Sequence, residues 1–188
     1  SSGSLSKGRR RLPRAVVDKL DAYAAGLGQG LSQPYAFEHG FRVVAIDGTC
    51  LSMEDEPQLR REFGIVNTRH GKSRYPEARL VAASLVKTGT VLAHRLGPYR
   101  TSEHALGLDL LASLREGDLL VADAHFAGSN LYWKYMEQGL HFITPVHQRL
   151  KVERLCRIRK YADGSFVAEV PIWQSHRTKY PYLPHTMT

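Results

Sequence analysis

Apolar residues recur along the 188-residue chain in short runs whose spacing changes from segment to segment. Val16, Val17, Leu20, Tyr23 and Ala24 fall at helical intervals, predicting a short amphipathic helix over 15–25 that Gly26, Gly28 and Gly30 break. Val43-Val44-Ala45-Ile46 is unbroken and ends at Asp47-Gly48, the pattern of a strand covered on both faces. Residues 52–78 are polar and contain Pro57, Gly64, Gly71 and Pro76, which predicts a long surface loop. Arg79 to Val86 and Thr90 to Leu96 predict two strands of a hairpin joined at Lys87-Thr88-Gly89.

Ser102 is placed to cap a helix with Glu103 in its first turn, Leu106, Leu110, Leu111 and Leu114 as its apolar stripe, and Gly117 at its end. Leu119-Leu120-Val121-Ala122 repeats the buried-strand pattern and ends at Asp123. A second helix carries Leu131, Tyr135 and Met136 on one face with Gly139 as its cap, and Leu140 to Val146 predicts a further strand. The layout is a mixed α/β sheet flanked by helices. Val152 to Lys160 and Phe166 to Trp173, joined by Tyr161-Ala162-Asp163-Gly164, then predict an antiparallel hairpin. Phe166, Ala168, Val170 and Ile172 share one face, so this end reads as an all-β appendage. The predicted organisation is a basic arm and short helix (1–40), a mixed core (41–148) and a β-rich region (149–188).

Composition narrows the class. A hydrophobic fraction of 43% with 23% charged residues excludes a disordered chain. No apolar stretch approaches the ~20 residues of a membrane span. Cys50 and Cys156 are too few for a disulfide scaffold or a cysteine-built zinc site. The Ser-Ser-Gly-Ser start carries no secretory signal and no initiator Met, so the chain is expected to be a segment of something longer. The net charge of +8 is uneven. Residues 1–14 hold Lys7, Arg9, Arg10, Arg11 and Arg14 with no acid, and 145–188 hold eight Lys/Arg against three Asp/Glu. Residues 15–144 hold 13 bases and 15 acids. Basic ends attract phosphate backbones, although a solvated tail has the same composition.

Asp47 and Asp123 each follow a buried-strand pattern, and carboxylates at the rim of an open sheet stand where α/β folds place their ligands. If their strands are neighbours, the two carboxylates repel unless a cation lies between them, the origin of hard-metal oxygen sites. A strand-ending turn cap is the competing account for each. His125 is within reach of Asp123 but also reads as a polar loop residue, and His141 and His147 lack metal spacing. Tyr132, Trp133 and Tyr135 read as packing residues on their helix. Trp173, Tyr180 and Tyr182 are interleaved with Arg177, Lys179 and His185, a composition suited to nucleic acid but common in loops. No glycine-rich phosphate loop, His-Glu-x-x-His or Gly-x-Ser-x-Gly motif occurs.

Val44-Ala45-Ile46-Asp47-Gly48-Thr49, Glu62-Phe63-Gly64, Tyr75-Pro76-Glu77-Ala78-Arg79-Leu80, Leu96-Gly97-Pro98-Tyr99, Glu103 and the run Gly117 to Phe126 together resemble the DDE transposases of bacterial insertion sequences, most closely the insertion-sequence-four family. The resemblance runs from about Arg42 to the C-terminus. It implies a ribonuclease-H-like mixed sheet with a β-rich insertion, which the Asp163-Gly164 hairpin would begin. It implies that Asp47 and Asp123 are catalytic and hold two divalent ions, Mg2+ or Mn2+, for phosphodiester hydrolysis and strand transfer. It also implies double-stranded DNA as partner, a second copy or a full-length transposase beside it, and a place in the bacterial cytoplasm at the nucleoid, away from membranes. The DNA contacts are expected from Arg9, Arg10, Arg11, Arg14, Arg157, Arg159, Lys160, Arg177 and Lys179. The family's third acid, a Glu on a Tyr-Arg-Glu-Lys type helix, has no counterpart in Glu137, Glu153 or Glu169, and Ala124 stands where the family commonly has Arg. The chain is therefore expected to be a catalytically incomplete fragment, the alternative being a non-catalytic DNA-binding or inhibitory protein derived from a transposase.

Overall fold

The computed structural model describes residues 8, 11–33, 37–68, 71–146 and 150–188; Lys7, Arg9, Arg10 and His147 lie outside them. A helix α1 (Arg14–Ser32) precedes β1 (Phe37–Glu38) and the long β2 (Phe41–Ser52), followed by α2 (Pro57–Phe63) and β3 (Ile65–Thr68). Then come β4 (Gly71–Leu85), β5 (Val91–Pro98), α3 (Glu103–Leu110), β6 (Leu119–Ala122), α4 (Ser129–Glu137) and β7 (His141–Ile143). The C-terminal part holds β8 (Cys156–Lys160), β9 (Phe166–Pro171), α5 (Gln174–Lys179) and β10 (Thr186–Met187).

Seven strands form the main sheet, whose wide part runs β5, β4, β2, β6, β7. β2 is antiparallel to β4 and parallel to β6, and β6 is parallel to β7. Fifteen residues long, β4 pairs with β3 through its first half and with both β2 and β5 through its second. Along β2 burial alternates, with Arg42, Val44 and Ile46 buried. The face they share packs, with Val81, Ala83, Leu85, Leu120 and Ala122, against Leu106 and Leu110 of α3 and Leu131 and Tyr135 of α4. Each buried Val, Leu or Ile of this layer contributes about 1.5–3 kcal/mol, so the layer fixes the sheet on which the acidic residues stand.

Several elements depart from the sequence-based expectation, each for a local reason. The glycines do not break α1, which continues to Ser32. A Cβ at Gly28 would stand 2.8 Å from Thr90 Cγ2, so the glycine permits a close approach to β5 that offsets its poor helix propensity. The expected apolar face points outward: Val16, Leu20 and Tyr23 are exposed. Strand β2 does not stop at Asp47-Gly48, because β4 runs beside it from Val44↔Leu85 to Ser52↔Glu77 and supplies a ladder throughout. The expected loop 52–78 contains α2, β3 and the first half of β4. Pro57 starts the helix at a position where a missing N–H costs nothing, and Gly64 (φ 83°) ends it, so these residues punctuate helix ends. Helix α3 ends at Leu110 with a tighter turn over Leu111–Ser113, and β7 stops at Ile143.

The hairpins at Gly89 (φ 69°) and Gly164 (φ 88°) form where expected. The C-terminal region is not all-β. It contains α5, and Ile172, Leu183 and Met187 pack with Tyr132, Trp133, Met136 and Tyr180, docking the three-stranded sheet β10-β9-β8 on α4.

Candidate carboxylate site

β2 and β6 are neighbours, parallel and in register from Val43↔Leu119 to Ile46↔Ala122. Asp47 and Asp123 are each the next residue, so the two carboxylates stand side by side at one end of the central pair. Adjacent strands lie ~4.8 Å apart, so neither charge can avoid the other's field. Both side chains reach solvent. Asp47 Oδ1 accepts a hydrogen bond from the Gly48 N–H at 2.8 Å. Asp123 caps the turn Ala124–Phe126: its Oδ1 accepts from the His125 backbone N–H at 2.8 Å, and its Oδ2 lies 3.1 Å from His125 Nδ1. Partial burial pushes the Asp123 carboxyl up, but the hydrogen bonds and charge of His125 outweigh it and hold the group below the usual carboxylate range. In return the Asp123 hydrogen bond and charge, joined by Glu103, raise the His125 imidazole against burial and Arg79. His125 is thus bonded to the acid, more than a free loop residue, while Asp123 does cap a turn.

Two further residues stand here that sequence reasoning left without a role. Ser102 caps α3 through its Oγ, which accepts from Ala105 N at 3.2 Å, and this sets Glu103 in the first turn. The Glu103 side chain lies across Gly48: a Cβ there would fall 2.9 Å from its Cγ and Cδ. Glu103 Oε1 is 3.5 Å from Arg79 Nη1, and the Arg79 guanidinium sits 4.9 Å over the Tyr99 ring. A glycine directly after Asp47 was the available signal, since it leaves room for another element to approach the strand.

Among the described residues, no three of His, Cys, Asp and Glu form a group that could hold a metal ion. Two hard carboxylates side by side nevertheless suit Mg2+ or Mn2+ in the mode that uses one or two carboxylates together with substrate phosphates. Glu137 pairs with Lys134 at 2.6 Å, and Glu169 with Thr186 at 3.3 Å.

The expected DNA-contacting residues fall into separate groups. Arg11 and Arg14 are exposed near the start of α1, with Arg14 3.7 Å from Asp18. β8 is exposed along its whole length; Arg157 stacks on Phe166 at 4.5 Å and Arg159 on Tyr161 at 5.0 Å, with Lys160 beside them. Arg177 is instead held internally, donating to Ile172 O at 3.3 Å and Gln174 Oε1 at 2.6 Å. Lys179 lies 5.2 Å over Tyr180, and its charge reaches His104 in the first turn of α3, whose pKa burial and that charge lower. Since His176 Nδ1 is 3.2 Å from Ser129 Oγ, α5 lies near the starts of both α3 and α4, at the carboxylate end of the sheet. No described helix is long and apolar enough to cross a membrane.

Residues 38–181 match the transposase DDE domain. The chain is also 29% identical over 120 residues to a protein of Escherichia coli (strain K12) named Putative transposase InsZ, a match covering 62% of this chain and 40% of that one. The mixed sheet with its flanking helices is compatible with a ribonuclease-H-like DDE transposase fold. With that match extending over most of its length, this chain belongs to the transposase DDE domain family.

Proposed function

We propose that the chain forms the part of a DNA transposase that presents two of its metal-binding acids, Asp47 and Asp123, to a phosphodiester of double-stranded DNA. The observation that carries this reading is the in-register placement of the two exposed carboxylates on neighbouring parallel strands of a DDE domain. Asp47 and Asp123 would hold the divalent ions, which when bound supply Lewis-acid stabilisation of charge on the phosphoryl oxygens. Asp47 presents one carboxylate oxygen beyond its bond to Gly48. His125 keeps Asp123 ionised and oriented, and its ring must turn or share the carboxylate when a cation enters. Arg157, Arg159 and Lys160 on β8, with Lys179 on α5, supply the positive surface for a phosphate backbone.

No third acid completes the pair among the described residues, so the 188-residue chain alone binds metal weakly and does not cut DNA. Titration with Mn2+, followed by electron paramagnetic resonance, should show binding that Asp47→Ala and Asp123→Ala each abolish. Incubating the chain with a terminal-repeat duplex and Mg2+ should leave the duplex intact. Binding indifferent to both substitutions would sink the assignment of the acids; magnesium-dependent cleavage lost in Asp47→Ala would overturn the incompleteness. The same two-acid arrangement favours a second reading, an inhibitor that pairs with an active transposase, and loss of transposition on adding the chain would select it.

A further inference from the structure

Arg79 makes no hydrogen bond among the described residues, although its side chain is only 19% exposed. Among the described residues its buried Nε finds no acceptor, and its one ionic partner there, Glu103, stands at 3.5 Å. Other arginines of the molecule are satisfied: Arg42 donates to Asp118 at 2.7 and 2.5 Å, Arg95 to the His94 and Asp109 carbonyls at 2.8 and 3.2 Å, and Arg177 to Ile172 and Gln174. A guanidinium carries five donors in a planar fork matched to carboxylate or phosphate, so leaving the buried Nε–H of that fork without an acceptor is costly. Packing fixes this fork. Arg79 sits on β4 opposite Cys50 of β2 and Gly97 of β5, and the Tyr99 ring supports its plane. The location is next to the carboxylate end: Glu103, the ionic partner of Arg79, lies across Gly48, the residue after Asp47.

We propose that Arg79 is the phosphate-binding arginine of this site, its guanidinium taking the non-bridging oxygens of a nucleic-acid phosphodiester beside Asp47 and Asp123. The assignment rests on the nucleic-acid reading above. Asp47 and Asp123 repel a bare phosphate, so a fixed cation at their edge is what admits the backbone before or together with the metal. Glu103 and Tyr99 are then positioning residues: the carboxylate holds the fork near the sheet without using its donors, and the ring prevents it from folding away. Sequence reasoning missed this role because β4, α3 and the loop before α3 meet only in the folded sheet.

Duplex binding by the full chain, measured by fluorescence anisotropy over a range of salt with Ca2+ present, tests the assignment. Arg79→Ala should weaken binding about tenfold and reduce the slope of log affinity against log salt by about one. Arg79→Lys should restore the slope but not the affinity, since a lysine supplies the charge without the fork. In the wild-type chain, inorganic phosphate should shift the Arg79 Nε–Hε resonance, identified by its loss in Arg79→Lys. Unchanged affinity and slope in Arg79→Ala, or a resonance that phosphate does not move, overturns the proposal. If the wild-type chain binds no duplex, the nucleic-acid reading fails, and the phosphate titration alone decides whether Arg79 is an anion site.

Discussion

The parallel pair β2/β6 carries charge at both ends, five residues apart along each strand, and the two ends are opposites. At one, Arg42 and Asp118 form a two-pronged ion pair with side chains 7% and 3% exposed, and Asp118 Oδ2 also accepts the Arg115 N–H at 2.8 Å. At the other, Asp47 and Asp123 are like charges left at the surface. Five is an odd step on a strand of period two, so Arg42 shares the packed face with Val44 and Ile46 while Asp47 leaves it. The first end is neutral, dry and internally complete. The second has its repulsion relieved in part by His125 and stays open to solvent. The contrast teaches that charge on one pair of strands is spent on architecture where its partner lies in the same fold, and stays available at the surface where it does not.

The largest effect should come from breaking the complete end. Arg42→Ala leaves Asp118 buried and unpaired and should cost about 3–5 kcal/mol in urea unfolding, whereas replacing both residues with apolar ones of similar size should recover most of that loss. A double variant as unstable as the single one would show that the pair does more than neutralise itself. Next comes Gly48→Ala, which drives a methyl into the Cγ and Cδ of Glu103 and should cost about 1–3 kcal/mol by overpacking. Retained stability with altered Mn2+ binding would show instead that Glu103 moves aside easily. The smallest effect on the fold belongs to Asp47→Asn, expected within about 0.5 kcal/mol of wild type without metal. In calorimetry with Mn2+ tenfold above its dissociation constant, the wild type should gain about 1.4 kcal/mol that Asp47→Asn lacks. An equal gain in both proteins would place the cation elsewhere.

Much of the sheet was legible because its central strands are apolar runs, Val43–Ile46 and Leu119–Ala122, although burial alternates along both and only one face is fully covered, and because turn chemistry is local, as at Gly89, Gly164 and Ser102. Strand adjacency was not local. Whether Asp47 stands beside Asp123 depends on β6 inserting between β2 and β7, which no run of residues states. Gly28, Gly48 and Gly64 carry the same letter and do different things: one admits a strand to a helix, one admits Glu103 to a strand, and one ends a helix. Each is decided by what lies across from it. Arg79 and Glu103 were invisible as a pair for the same reason, since their meeting needs the β2–β4 register and the docking of α3 at once.

The 76-residue separation between Arg42 and Asp118, repeated between Asp47 and Asp123, also orders events in time. The hairpin β4–β5 and its antiparallel neighbour β2 close over shorter stretches of chain, but β6 reaches β2 only across the connection that contains β3, β4, β5 and α3. Closing so long a loop is entropically expensive and kinetically late. Both ends of the β2/β6 pair must therefore form in the same late step. The buried ion pair closes the strands at one end as the two acids are brought together at the other, so the edge that carries both carboxylates and the core beneath it come from the same pairing.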